Sequence, residues 1–253
     1  MHAICLDRFG LSRYLFEENS VSMRQPLPPK NANQTQETEK APFLVVKRVR
    51  EAILDEVFNP GDHLGELELA DKFEVSRSPV REALVALEKE GTVIISPYKG
   101  AMVRPLSAAE ILDIAELRLA AISLAIKSAH RHLSPADLDH AYDLAKRLTR
   151  INDAKDFFEY NRQFWDSIFS KAQRPILHEV FRQLENRMAR YYPLLLKHFP
   201  TARPAEILME IYRKGKIAES FQAFKKIYLE ILGEVIDQLK SQEAGDSSRR
   251  RPF

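Results

Sequence analysis

A single cysteine, Cys5, is all the thiol chemistry in this 253-residue chain. No internal disulfide can form, and a reducing cytoplasm is the expected setting. Cys5 also sits in a segment with little to pack against, a poor place for a nucleophile. Neither a Gly-rich phosphate loop nor a cluster of His, Cys, Asp and Glu at ligand spacing occurs, so catalysis is not expected. No run of about 18 apolar residues is present. The N-terminus lacks the charged flank, compact apolar stretch and small-residue cleavage site of a secretory leader, and neither membrane insertion nor secretion is expected. An excess of one charge is missing too: 38 Lys and Arg stand against 36 Asp and Glu, a net of +2. If the partner is a nucleic acid, a small local cluster must recognise it.

What is present divides into four stretches. Residues 1–40 include "PLPPKNANQTQETEK", polar and without periodicity, and are expected to form a flexible arm. From Phe43 the apolar positions Val46, Val49, Ile53 and Val57 recur at helical spacing until "NPGD" stops them. "LGELELADKF" predicts a short second helix with Leu67, Ala70 and Phe73 on one side, and "EVS" separates it from a third. After Gly91, "TVIIS" and "AMVRP" flank the turn "PYKG", which predicts a β-hairpin. Three helices and a hairpin make a winged helix-turn-helix over residues 41–105. Residues 106–241 hold no convincing strand, and their cap signals at Ser107 with Glu110, Ser134-Pro135 with Asp137, and Asp153 with Asp156 predict an all-α domain. One long helix is expected over about 174–198 with a kink at Pro193. The tail, 242–253, is expected to be disordered. The fold class is mainly α: a winged helix-turn-helix followed by a helical bundle.

The stretch "EVSRSPVREALVALEKEG" carries the sharpest signal. Val80, Ala83, Leu84 and Leu87 form an i, i+3, i+4, i+7 stripe and are core. At 100° per residue Arg77 and Arg81 lie within about 40° of each other, and Ser78 and Arg81 are turned well away from the centre of that stripe. Ser76 is placed as the N-cap, so free amides and the positive dipole end share the helix start with two guanidinium groups, a setting that suits phosphate or a guanine edge. The alternative is a solvated face on which the arginines pair with Glu74, Glu82 or Asp71. A wing carrying Lys99 and Gly100 adds a second basic element, against the balance of residues 41–105: nine Lys and Arg, eleven Asp and Glu.

"LGELELADKFEVSRSPVREALVALEKEGTVIISPYKGAMV" resembles the winged-helix domain of GntR-type bacterial transcription regulators, most specifically in "VSRSPVREAL" and "EKEG". "PLSAAEILDIAELRLAAISLA" and the helical remainder are similar to the FCD effector domain of the FadR-like subfamily. The resemblance spans about residues 43–240. It implies DNA contacts from Ser76, Arg77, Ser78 and Arg81 on the recognition helix and from Lys99 and Gly100 in the wing. Leu67 stands where many relatives carry a further arginine.

The resemblance also implies a ligand site in the second domain. Many FCD domains hold a divalent metal through an Asp and a His on one helix and two later His. Here the matching positions hold Asn161 and Trp165, and no histidine follows His198. Asparagine is a weak substitute for an anionic ligand and indole has no lone pair to offer, so no metal or other cofactor is expected. His130, His132, His140, His178 and His198 show no ligand spacing. Arg118 matches an arginine that meets an acidic ligand in the family, although Ile122 replaces a common Glu one turn on; an intrahelical or interhelical ion pair, on a helix that also carries Asp113 and Glu116, is the alternative. The expected effector site is thus Arg118, Asn161 and Trp165.

These features imply a cytoplasmic, metabolite-responsive transcription regulator that binds double-stranded operator DNA as a homodimer and whose effector is an acidic small molecule. An effector-independent DNA-binding or architectural protein is the alternative. Protein purified without chelator is expected to contain no stoichiometric zinc, nickel or manganese; one equivalent of any of these by elemental analysis overturns the substitution argument.

Overall fold

The computed structural model describes the backbone of residues 32–198 and 203–249, and side chains from 41 to 198 and 203 to 244. Helix α1 (Ala32–Leu54) opens the first unit. Among its described side chains the buried ones are Val45, Val46, Val49, Ala52, Ile53 and Leu54. The expected arm, 1–40, lies outside the described residues up to 31, whereas 32–40 continue α1 toward the N-terminus. A helix nucleated by packing propagates outward at little cost, so low apolar content did not end it at residue 40.

Helix α2 (Glu66–Phe73) ends at Glu74, whose left-handed φ of 56° turns the chain sharply. Helix α3 (Arg77–Lys89) buries Val80, Ala83, Leu84 and Leu87 against α1 and α2. Strands β1 (Val93–Ser96) and β2 (Gly100–Val103) pair antiparallel, from Val93 opposite Val103 to Ser96 opposite Gly100. Backbone bonds from Leu64 to Ala101 and from Val103 to Asp62 tie the segment before α2 to the hairpin. The wing is thereby fixed to the start of α2 as well as to the end of α3.

The second unit contains α4 (Ala108–Ala129), α5 (Pro135–Leu148), α6 (Ala154–Phe169), α7 (Pro175–Ala189), α8 (Tyr192–His198), α9 (Pro204–Tyr212) and α10 (Ile217–Arg249). Helix α4 lies at the centre, packed on α6, α7 and α10. Ser134 and Asp137 form a reciprocal capping box at α5, and the Asp153 carboxylate accepts the Asp156 amide at 2.8 Å. The single helix expected over 174–198 is instead broken at Arg190 and Tyr191. Pro193 occupies the first turn of α8, where its missing N–H costs nothing. Helix α10 runs to Arg249, through most of the stretch expected to be disordered; residues 250–253 lie outside the described residues. No described helix is long and apolar enough to cross a membrane.

The two units meet at the end of the recognition helix. Gly91, with φ +78°, directs the chain out of α3 into β1. Its carbonyl accepts Arg104 Nε at 2.9 Å and Arg190 Nη1 at 2.7 Å. Arg190, fully buried, also pairs with Glu110 on α4. Ser107 caps α4 by accepting the Glu110 amide, but the reciprocal half of the expected capping box is absent. The Glu110 carboxylate turns to Arg190 and Tyr191, and the Ser107 amide donates to the Tyr191 hydroxyl at 3.2 Å. Gly91→Ala forces an L-residue into the left-handed region and sets a Cβ against the Arg187 guanidinium. It is expected to lower stability by about 1–2 kcal/mol in urea unfolding.

Candidate nucleic-acid interface and ligand cavity

Ser76 is at the N-cap of α3 with extended backbone, yet its side chain accepts no capping bond. The amides at this helix start are left to other partners. Arg77 and Arg81 both project outward, with side chains 58% and 67% exposed. Their acidic partner is not Glu74, Glu82 or Asp71 but Glu66, from the first turn of α2. Arg81 donates to both its carboxylate oxygens, at 3.1 and 2.9 Å, and Arg77 stands 3.5 Å away. The turn at Glu74 lays the start of α2 beside the start of α3, a proximity that spacing along the chain does not reveal. Hydrogen bonding from Arg81 holds the Glu66 carboxyl below its usual range. Ser78 donates to Glu82 at 3.1 Å.

Arg81, Lys99 and Gly100 line one open depression between α3 and the wing, with Glu66 and His63 beside them. At the wing turn Gly100 takes φ +68° and Tyr98 is 98% exposed. The recognition helix and the wing thus present their basic groups on one side of the domain. Glu66 is the acidic residue among them. An exposed ion pair is weak and readily exchanged for another anion.

Arg118, Asn161 and Trp165 line a second cavity, inside the helical unit, of about 90 Å³. Its walls are largely apolar, including Leu148, Phe157, Leu195, Phe224 and Ile231. Trp165 is buried edge-on among Phe164, Phe181 and Phe224, with ring centroids 4.7, 5.6 and 5.5 Å away. Asn161 donates its amide to Glu185 at 2.5 Å and to the Tyr192 hydroxyl at 3.0 Å.

Arg118 does not stand free to meet an acidic group. Its guanidinium pairs with Glu185 on α7 at 2.5 Å and donates to the Tyr228 hydroxyl, and both partners of the ion pair are buried. Asp113 and Glu116 on its own helix do not hold it. Burial works against the Arg118 charge, but Glu185, Tyr228 and Tyr192 together outweigh it and keep the guanidinium protonated. Burial likewise lifts the Glu185 carboxyl, opposed by Arg118, Tyr192 and Asn161. Arg118, Asn161 and Tyr192 all present donors to Glu185, which suits an ionised carboxylate. Burial raises the Tyr192 hydroxyl well above its ordinary range, so it remains a donor.

Glu185, Tyr192 and Tyr228 are absent from the site expected from sequence. One signal was available: Phe181, Leu184, Glu185 and Met188 share the buried stripe of α7, and a carboxylate on an apolar face needs a buried partner. Of the histidines, His178 pairs with Asp166 at 2.6 Å and His130 meets the ring of Tyr212 edge-on.

Residues 44–103 match the family described as bacterial regulatory proteins, gntR family, and residues 113–225 match the FCD domain. The HTH-type transcriptional regulator McbR of Escherichia coli (strain K12) is 28% identical over 151 residues, covering 58% of this chain and 67% of that protein. The HTH-type transcriptional repressor RspR of the same organism is 28% identical over 171 residues, covering 65% and 72%. Among solved structures, E. coli McbR/YncC aligns with a TM-score of 0.63 at 22% identity, over 80% of this chain and 98% of the other. Lar, which controls expression of the Listeria monocytogenes agr system, aligns with a TM-score of 0.51 at 23% identity, over 76% and 94%. At these identities the structures share the fold.

Removing one member of the buried ion pair strands the other charge. Arg118→Met is expected to destabilise the helical domain by about 3–5 kcal/mol, and Arg118→Met with Glu185→Leu by markedly less. Urea unfolding of the two variants checks the difference.

Proposed function

This chain is a transcriptional regulator that belongs to the gntR family and carries an FCD domain, and on that premise we propose how it reads DNA and a small molecule. The recognition helix α3 enters the major groove of operator DNA with Ser76, Arg77, Ser78 and Arg81 at its leading end. Lys99 and Gly100 of the wing follow the adjacent backbone. The observation that carries this reading is the shared carboxylate of Glu66, which holds Arg77 and Arg81 together on the face next to Lys99. In the complex, phosphate or a guanine edge takes the place of Glu66. Such a regulator works in the cytoplasm, without catalysis.

Two copies act together on two half-sites about one helical turn apart. Support comes from exposed apolar side chains: Leu117 and Leu124, seven residues apart on α4, and Ile176 and Val180 on the neighbouring α7. Exposed apolar side chains without a partner among the described residues suit a self-complementary contact.

The cavity is the effector site. Its link to DNA runs through α7 and the turn after it. Glu185 supports Arg118 and Asn161 at the cavity, and Tyr192 lines it, while Arg190 between them holds the Gly91 carbonyl at the end of the recognition helix. A ligand that shifts this turn changes the hold on α3. The acidic effector expected from Arg118 alone has to displace Glu185 from a buried pair.

Arg81→Ala is expected to weaken operator affinity by about 5- to 150-fold at fixed salt, the loss of one bidentate base contact. Unchanged affinity in a folded variant removes Arg81 from the interface.

A further inference from the structure

We propose that the cavity takes an uncharged ligand, a short apolar body ending in an amide, carbonyl or hydroxyl group, rather than a carboxylate. This deepens the effector reading above and rests on it.

The charges come first. Arg118 is countered from behind by Glu185 at 2.5 Å, and the two are 4% and 2% exposed at their side chains. The other charged groups lining the cavity, Arg203 and Glu206, pair with each other at 2.6 Å. Every charge on the described wall therefore has its counter-charge in place. At the inner end, by Arg118, an incoming carboxylate would add an uncompensated negative charge close to Glu185 and away from solvent, where like charges repel most strongly.

The polar groups then say what is wanted instead. Asn161 and Tyr192 both donate to Glu185, and the Tyr228 hydroxyl accepts from Arg118. The Arg118 Nε–H is buried and has no partner among the described residues. A buried donor left unpaired is unfavourable, and a neutral oxygen acceptor satisfies it without adding charge. The remaining wall is mostly apolar, and a volume of about 90 Å³ suits a small body.

The test uses the full-length protein and its one tryptophan. Trp165 lines the cavity, so its fluorescence reports occupancy directly. Butanamide, pentanamide and hexanamide are titrated against butanoate, pentanoate and hexanoate at neutral pH. The expected result is a saturable change with at least one amide, and at least about tenfold weaker binding of its matching carboxylate. In Glu185→Gln, where Arg118 loses its counter-charge, the order should invert. A carboxylate that binds the wild type as well as its amide overturns the proposal, as does a folded Glu185→Gln variant that keeps the wild-type order. If neither series changes the emission, the proposal also fails, while the DNA reading stands or falls separately on Arg81→Ala. The wild-type comparison decides the matter even if Glu185→Gln does not fold.

Discussion

The buried pair of Arg118 and Glu185 constrains the whole helical unit. Two full charges held away from water need each other at contact distance and hydrogen bonds to most of their remaining polar atoms. That requirement fixes α4 against α7, brings Tyr228 of α10 to Arg118, and brings Asn161 of α6 and Tyr192 of α8 to Glu185. Five helices are thereby indexed to one point. Apolar packing among Trp165, Phe181 and Phe224 fills the space around it but does not specify register as sharply, because dispersion contacts are non-directional.

Helix α7 carries that constraint toward the DNA-binding unit. Glu185 is on its last turns, and Arg190 follows at its C-cap. The Arg190 side chain, anchored to Glu110, donates to the carbonyl of Gly91, the residue where the recognition helix becomes the wing. The helix is interrupted at Arg190 and Tyr191, between α7 and α8, so the link is a turn with definite hydrogen bonds. Cavity and recognition helix are joined by a few residues whose bonds are directional.

The exposed and buried ion pairs contrast in the way their tasks require. Glu66 with Arg77 and Arg81 lies in solvent, where attraction is screened and exchange is easy. It keeps the arginines arrayed and can be released to a polyanion. Arg118 with Glu185 cannot be released without stranding a charge. The same two side-chain types thus serve as a replaceable contact on one unit and as a permanent support in the other, according to burial.

Much of this was legible along the chain. The stripe of Val80, Ala83, Leu84 and Leu87, the β-branched runs around "PYKG" and the caps at Ser134 and Asp153 determine helices, hairpin and fold class, because they depend on periodicity and near neighbours. The outward direction of Arg77 and Arg81 follows from the same periodicity. Which carboxylate they meet does not, since Glu66 reaches them only after the Glu74 turn folds α2 beside α3. Asn161 and Trp165 are marked by position, and Arg118 as either a ligand contact or a member of an ion pair; that its partner is Glu185, 67 positions further along the chain, spacing does not reveal. The sequence by itself determined the elements and the side chains available to the two sites. Tertiary structure alone decided which charges neutralise each other, because pairing in a folded interior depends on distance through space and on burial, and neither is a property of sequence spacing.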